Sequence, residues 1–391
     1  MSVLPVFING FGCLSAIGTG LEETTASLRE SRSGIAPVRL FDVKGAHSQT
    51  AGQVTEQMSS LAAEIHTPAR RWGRGAQMVL IAFAEALRNR PDFSPDFVVM
   101  GTTSGGMDFG EQFMKAALTG RPLDHALRQL RQYVPQQPVL DACRALGLRA
   151  PVRVVSNACA SGTNALGVGY EMIRSGRARR VLVGGYDALA QLVFAGFDCL
   201  RASTDELCRP FDSARTGLAL GEGAAAFCLE AHEGLIRIAG YGSSTDTHHF
   251  TQPNPTGAGA RSAMQRALAQ AGMDGQSIDY INAHGTGTPL NDACEARAIQ
   301  DVCPQAAVSS TKGATGHALG AAGAIEAAFS CISLREGFLP ATLNFRQPDP
   351  DVSLDLVVNE SRSSRPRRVM SNSFGFGGAN ASIIFESTSR S

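Results

Sequence analysis

Short apolar runs and longer periodic segments alternate along this chain. Residues 3–9 are an apolar run stopped by Gly10, and residues 97–100 a second run stopped by Gly101. Both predict buried strands, as do 152–156, 181–183, 280–283, the stretch at Val308, 369–373 and 381–385. Helical periodicity covers 21–30, 78–88, 162–175, 259–271, 293–302 and 320–334, the last rich in Ala and Gly. Residues 224–229 and 235–242 read as paired strands, 107–150 as polar, Arg-rich and partly helical, and 186–220 as loop with a short helix. Strands alternating with helices predict an α/β protein with largely parallel sheets buried on both faces. The second half repeats the scheme of the first without a low-complexity linker. The reading is one compact, duplicated unit with halves 1–242 and 243–391.

Composition narrows the function classes. Formal net charge is zero, which excludes an electrostatic case for nucleic acid or an anionic membrane surface. Nine scattered cysteines without a Cys-x-x-Cys pair argue against a disulfide framework or a structural zinc site and fit a reducing cytosol. The start MSVLPVFINGFG has no basic region before a long apolar one, and no apolar stretch reaches about 18 residues. A cytoplasmic protein is expected. Glycine, at 42 residues, is grouped in short clusters that suit tight turns and close backbone approach. Only three of the 35 basic residues are lysines: Lys44, Lys115 and Lys312. Retaining lysine in such an Arg-biased chain marks a position out.

Four segments carry candidate chemistry. VRVVSNACASGTNALGVGYEMIRSG (152–176) is a strand, a turn of small residues and a helix, with Cys159 at the turn. A free cysteine is most often a small buried hydrophobe. Here the start of a helix would favour a thiolate, and the small neighbours would let a substrate approach the sulfur. INAHGTGTPLNDACEA (281–296) sets His284 just past a strand, and STKGATGHALGAAGAIEAA (310–328) sets Lys312 and His317 in a Gly-rich loop before a helix. Loops at the carboxyl ends of strands are where α/β proteins build sites. Glu326 on that helix is either an exposed position or a buried carboxylate needing a partner, for which Lys312 is the candidate. SNSFGFGGANAS (371–382) is a Gly-rich turn whose backbone N–H groups could stabilise an oxyanion. A P-loop, a G-x-S-x-G elbow, a His-Glu-x-x-His helix and a complete dinucleotide fingerprint are all missing from the sequence.

Taken with RPFDSARTGLALGEGAA (209–225), these ordered motifs resemble the elongating type I and II β-ketoacyl-acyl-carrier-protein synthases of the thiolase superfamily, over essentially the whole chain. The resemblance implies a duplicated thiolase-like fold in five layers, αβαβα, and decarboxylative condensation of a Cys159-bound acyl group with malonyl-ACP. It gives enolate stabilisation to His284 and His317, and supporting roles to Lys312 and Glu326. The N–H groups of Cys159 and Phe376 become the oxyanion hole, and Phe376 with Phe374 the gate to the acyl pocket. It further implies that Thr286, Thr288 and Thr251 bind the phosphopantetheine arm and that Arg70, Arg71 and Arg209 receive the acidic carrier protein. No metal or other cofactor is expected, and the implied partners are acyl carrier protein and a second subunit.

The same positions separate relatives. A degradative thiolase would carry a second cysteine where Phe374–Gly378 stands, an initiating synthase asparagine in place of His317, and a chain-length factor no nucleophile. Fatty-acid elongation is the leading pathway. The alternative is a ketosynthase of an aryl-polyene or type II polyketide pathway, paired with a chain-length factor. Two departures bear on that choice: residues 121–150 match the family poorly, and Thr216 replaces a frequent acidic residue. Intact Cys-His-His argues against a non-catalytic scaffold.

Overall fold

The computed structural model describes residues 3–122, 127 and 130–388. Eleven strands among them form one mixed sheet: β1 (Val6–Ser15), β2 (Phe97–Gly101), β3 (Val152–Val155), β4 (Arg180–Asp187), β5 (Gly223–Glu230), β6 (Ile236–Thr245), β7 (Tyr280–Asn282), β8 (Ala307–Ser309), β9 (Asp355–Leu356), β10 (Arg368–Phe374) and β11 (Ala379–Ser387). Their order is β9-β8-β7-β10-β11-β6-β1-β5-β4-β2-β3. Outward from the centre, β1-β5-β4-β2-β3 on one side answers β6-β11-β10-β7-β8 on the other, so the duplication is visible in the hydrogen-bond ladder. The sequence-based division after residue 242 falls inside β6, a strand that this mirror order assigns to the second half.

Two expectations are corrected. Strands 224–229 and 235–242 do not pair with each other, because β1 lies between them, with Phe7 opposite Glu230 on one edge and Arg237 on the other. The sheet is parallel only in its wings, and the contacts from β4 through β5, β1, β6 and β11 to β10 are antiparallel. The reason is burial. β5 is buried at all eight positions, so it lacks the in–out alternation that ordinarily marks an antiparallel strand.

Six helices frame the sheet and the site: α1 (Arg74–Leu87), α2 (Ser161–Arg174), α3 (Gln191–Cys199), α4 (Ala258–Ala271), α5 (Pro289–Val302) and α6 (Ala322–Glu336). The central pair, α2 and α6, packs against strands of both halves: α2 meets β4 and β2 but also β11 and β6, while α6 meets β10 and β11 but also β5 and β4. α1 covers β1 and β5 on one outer face, and α4 covers β6 and β11 on the other. This is the five-layer arrangement. Glycines let the central helices cross closely. A Cβ on Gly162 would sit 2.7 Å from Ala324 N, and one on Gly323 would sit 2.1 Å from Thr163 Oγ1.

Of the divergent stretch 121–150, residues 123–126, 128 and 129 lie outside the described residues. The helix Gln137–Ala145 that follows packs on α1.

The crossing makes a stability prediction. Gly323→Val forces overpacking between α2 and α6 and should cost about 1–3 kcal/mol, read as a lower melting temperature. Gly196→Ala, inside α3 with nothing within 4 Å of the new methyl group, should be neutral or slightly stabilising. Equal melting temperatures for wild type and Gly323→Val would contradict the close crossing.

Candidate active site

β3 ends at Val155, and the chain turns through Asn157, Ala158 and Cys159 before α2 begins at Ser161. Ala158 adopts φ +53°, a left-handed conformation costly for a residue with a Cβ. Its carbonyl is held by three donors: Ser161 Oγ at 2.6 Å, Thr103 Oγ1 at 3.0 Å and Ser161 N at 3.1 Å. The strained turn presents Cys159, 7% exposed, at the floor of a cleft. Burial pushes its thiol up to about 11, opposed by the backbone N–H of Phe376, the Lys312 charge and its own N–H. Burial therefore works against the thiolate that a helix start favours. Gly375 is pressed against this turn, since a Cβ there would lie 3.0 Å from Cys159 N.

β7 delivers His284. The loop behind it is pinned by two buried carboxylates from the first turns of α5. Glu295 accepts from His284 N at 2.8 Å and Gly285 N at 2.7 Å, and Asp292 accepts from Thr286 N at 2.9 Å and Phe211 N at 2.8 Å. Burial pushes Glu295 up to about 7 against these N–H groups. β8 delivers the other loop through the short helix Lys312–Thr315. His317 N donates to Ala219 O at 2.7 Å, and Gly221 N returns a bond to His317 O at 2.9 Å.

Lys312, 1% exposed, binds the Glu326 carboxylate, donates to His284 O at 2.6 Å and lies 3.4 Å from His284 Nδ1. The expected partnership of Lys312 and Glu326 is present, and Glu326 is buried rather than exposed. Burial pushes Glu326 up to about 7, with Lys312 opposing.

Both histidines share one tautomer. His284 Nδ1 faces an ammonium donor, and His317 Nδ1 accepts from Leu319 N at 3.1 Å. Nε2 therefore carries the proton in each ring. Burial and the Lys312 charge hold both imidazoles well below their ordinary value, so both are neutral donors. The rings stand 5.2 Å apart at 83°, and the thiol and one nitrogen of each ring lie within 4.8 Å of one another. As a metal set the trio would need a thiolate and two inward lone pairs.

The cleft, about 330 Å³, is also lined by Thr251, Thr286, Thr288, Phe374 and Phe376. Phe376 is half-buried and stacks on Phe197 of α3 at 5.6 Å, whereas Phe374 is buried with its ring 6.0 Å from that of His284. Thr286 and Thr288 hydroxyls lie 2.8 Å apart, and Thr251 Oγ1 lies 3.4 Å from His249 Nδ1. The arginines divide. Arg70 and Arg71 are exposed on the 3-10 turn Thr67–Arg71, outside the cleft lining. Arg209 is corrected: it is 8% exposed and paired with Glu206 at 2.8 Å, so it offers no free charge to a docking surface. Sequence reading missed Asp187, Asp292 and Glu295. For the last two a signal existed, acids three apart in the first half of the helix directly after the His284 loop.

The β-ketoacyl synthase N-terminal domain model matches residues 4–234, and the β-ketoacyl synthase C-terminal domain model matches residues 235–346. The chain belongs to the β-ketoacyl synthase family. As a member of these condensing acyltransferases, the synthase is 34% identical to 3-oxoacyl-[acyl-carrier-protein] synthase 2 of Staphylococcus aureus (strain N315), over 97% of this chain and 98% of that protein. Its fold is similar to the ishigamide ketosynthase/chain length factor, with a TM-score of 0.90, 32% identity and 99% of this chain and 100% of that chain covered. It is also similar to AntDE:AntF, a type II PKS acyl-carrier protein in complex with its ketosynthase bound to the hexaketide, with a TM-score of 0.89, 26% identity and 99% of this chain and 100% of that chain covered.

Neutral histidines predict a pH response. Because the folded values lie below 6.5, the unfolded chain takes up protons first as pH falls. Stability from this source is therefore lost below that point. Spectra of ¹⁵N-histidine-labelled synthase from about pH 8 to about pH 6 should show the His284 and His317 rings remaining neutral with Nε2 protonated. Protonation of either ring at or above 6.5 would contradict the site described here.

Proposed function

We propose that this chain is a 3-oxoacyl-ACP synthase that extends an acyl chain by two carbons at the expense of malonyl-ACP. One observation carries the reading: a buried thiol faces two neutral imidazole donors and the backbone N–H of Phe376 across one cleft. The Cys159 sulfur attacks the acyl thioester, and its proton leaves on the departing carrier thiol. Thioester exchange is nearly balanced because nucleophile and leaving group are alike. Malonyl-ACP then loses carbon dioxide, and the bonding pair becomes an enolate whose oxygen receives the Nε2–H groups of His284 and His317. The enolate carbon attacks the acyl carbonyl. The resulting oxyanion lies against the N–H groups of Cys159 and Phe376, the C–S bond breaks, and the sulfur regains a proton from solvent.

Lys312 and Glu326 keep the imidazoles neutral and placed. Phe376, stacked on Phe197, gates the acyl pocket together with Phe374. Thr251, Thr286 and Thr288 take the phosphopantetheine arm, and Arg70 and Arg71 receive the acidic carrier protein. The reaction uses no metal or other cofactor. Among the described residues no helix is long and apolar enough to cross a membrane. We assign the enzyme to cytoplasmic fatty-acid elongation as a homodimer. A second reading, a polyketide-type ketosynthase paired with a chain-length factor, is favoured by the likeness to the ishigamide ketosynthase/chain length factor and by the divergent 121–150 stretch.

Mass spectrometry after incubation with acyl-ACP should find the acyl group on Cys159 alone, and none on Cys159→Ala. His284→Ala and His317→Ala should keep most self-acylation but lose about 10²–10³ in malonyl-ACP decarboxylation, the usual cost of one oxyanion donor. Equal loss of both half-reactions would assign the histidines to nucleophile activation instead.

A further inference from the structure

Asp187 ends β4 with its side chain fully buried, and nothing in the proposed reaction uses it. Its carboxylate nevertheless receives five hydrogen bonds. Oδ1 accepts from Thr102 Oγ1 at 2.6 Å, Ser104 Oγ at 2.7 Å and Ser104 N at 2.9 Å. Oδ2 accepts from Gly320 N at 2.7 Å and Thr103 N at 2.9 Å. The last two belong to different halves of the duplicated fold, and each leads to a reacting group.

Thr103 follows β2, and its hydroxyl holds the carbonyl of Ala158, the strained residue before Cys159. Gly320 follows Leu319, whose N–H sets the tautomer of His317 and whose own φ is +52°. Gly320 must be glycine for this contact, because a Cβ there would lie 2.5 Å from Thr103 N. The left-handed Leu319 is thus clamped between His317 Nδ1 on one side and the Asp187 anchor on the other. The two arms are unequal. Ala158 O keeps two donors from Ser161 if Thr103 moves, whereas the Leu319–Gly320 segment is fastened to β4 by Asp187.

We propose that Asp187 is a positioning residue for condensation, one carboxylate that couples the two halves and keeps the Nε2–H of His317 aimed into the cleft. This rests on the enolate role proposed above. Small misplacement of a donor is costly, about 10² in rate for displacement near 1 Å.

Asp187→Ala should lower malonyl-ACP decarboxylation about 10²-fold, with KM for malonyl-ACP little changed and Cys159 self-acylation reduced far less. Asp187→Asn should recover part of the loss, because its amide oxygen can still accept from Gly320 and Thr103 and its NH₂ can donate to the hydroxyls, while the bond from Ser104 N is lost to a donor–donor contact. In ¹⁵N-histidine spectra, Asp187→Ala should convert His317 from one tautomer to a mixture while His284 stays unchanged. If Asp187→Ala does not fold, Gly320→Ala tests the same clamp with the carboxylate in place and should give the same split between half-reactions. Decarboxylation at the wild-type rate in folded Asp187→Ala or Gly320→Ala overturns the proposal, as does an unchanged His317 tautomer. Failure of wild-type enzyme to acylate Cys159 or to decarboxylate malonyl-ACP would instead overturn the proposed function.

Discussion

An ammonium group buried to 1% exposure is tolerable only if every neighbour is arranged around it, and Lys312 sets that constraint here. Its partners are the Glu326 carboxylate, the His284 carbonyl and the His284 ring. Removing one member of a buried ion pair leaves an uncompensated charge and typically costs about 3–5 kcal/mol, so the pair stands or falls together. The same charge helps hold both imidazoles neutral. Arginine, which dominates the basic residues of this chain, would bring a wider planar fork where a compact point charge is enclosed. The position that keeps lysine is the one where the difference in shape matters.

The duplicated fold explains how the groups meet. Cys159 lies between β3 and α2, and His317 lies between β8 and α6, the mirrored strand and helix of the other half. His284 follows β7, which mirrors β2. The central helices cross through glycines, so the two loops at their amino ends approach closely enough for thiol and imidazoles to share one cleft. Each half alone carries only part of the chemistry.

Much of this site was legible in the sequence because its residues are marked by their surroundings. Cys159, His284 and His317 stand in loops of Gly, Ala and Thr at the ends of apolar runs, where bulky side chains would be incompatible with close approach. The Lys312–Glu326 pair followed from a carboxylate on an otherwise apolar helix. Sheet order was not legible, since β1 inserts between β5 and β6 through long-range pairing that leaves no local periodicity. At Cys159 the sequence shows only one side of the electrostatics: helix geometry is local and visible, whereas desolvation depends on everything packed above the turn. Arg209 entered the carrier-protein patch by resemblance, and only tertiary packing buries it beside Glu206. Asp187, Asp292 and Glu295 bond mainly to backbone N–H groups of loops, and side-chain chemistry in the sequence says little about such partners.

In the proposed reaction, keeping both imidazoles uncharged has a catalytic rationale. A malonyl group enters with its negative charge on the carboxylate and reaches the transition state with that charge moving to the thioester oxygen. Cationic imidazolium groups would attract the carboxylate in the ground state, and an interaction equally strong before and during the reaction does not accelerate it. Neutral N–H donors fixed at Nε2 gain most when charge develops on the oxygen they face. The fixed tautomers mean that no reorganisation is required at that moment. The buried ion pair, the neutral rings and the clamped loops therefore serve one requirement: the donors must already point where the charge will be, and must not hold it where it starts.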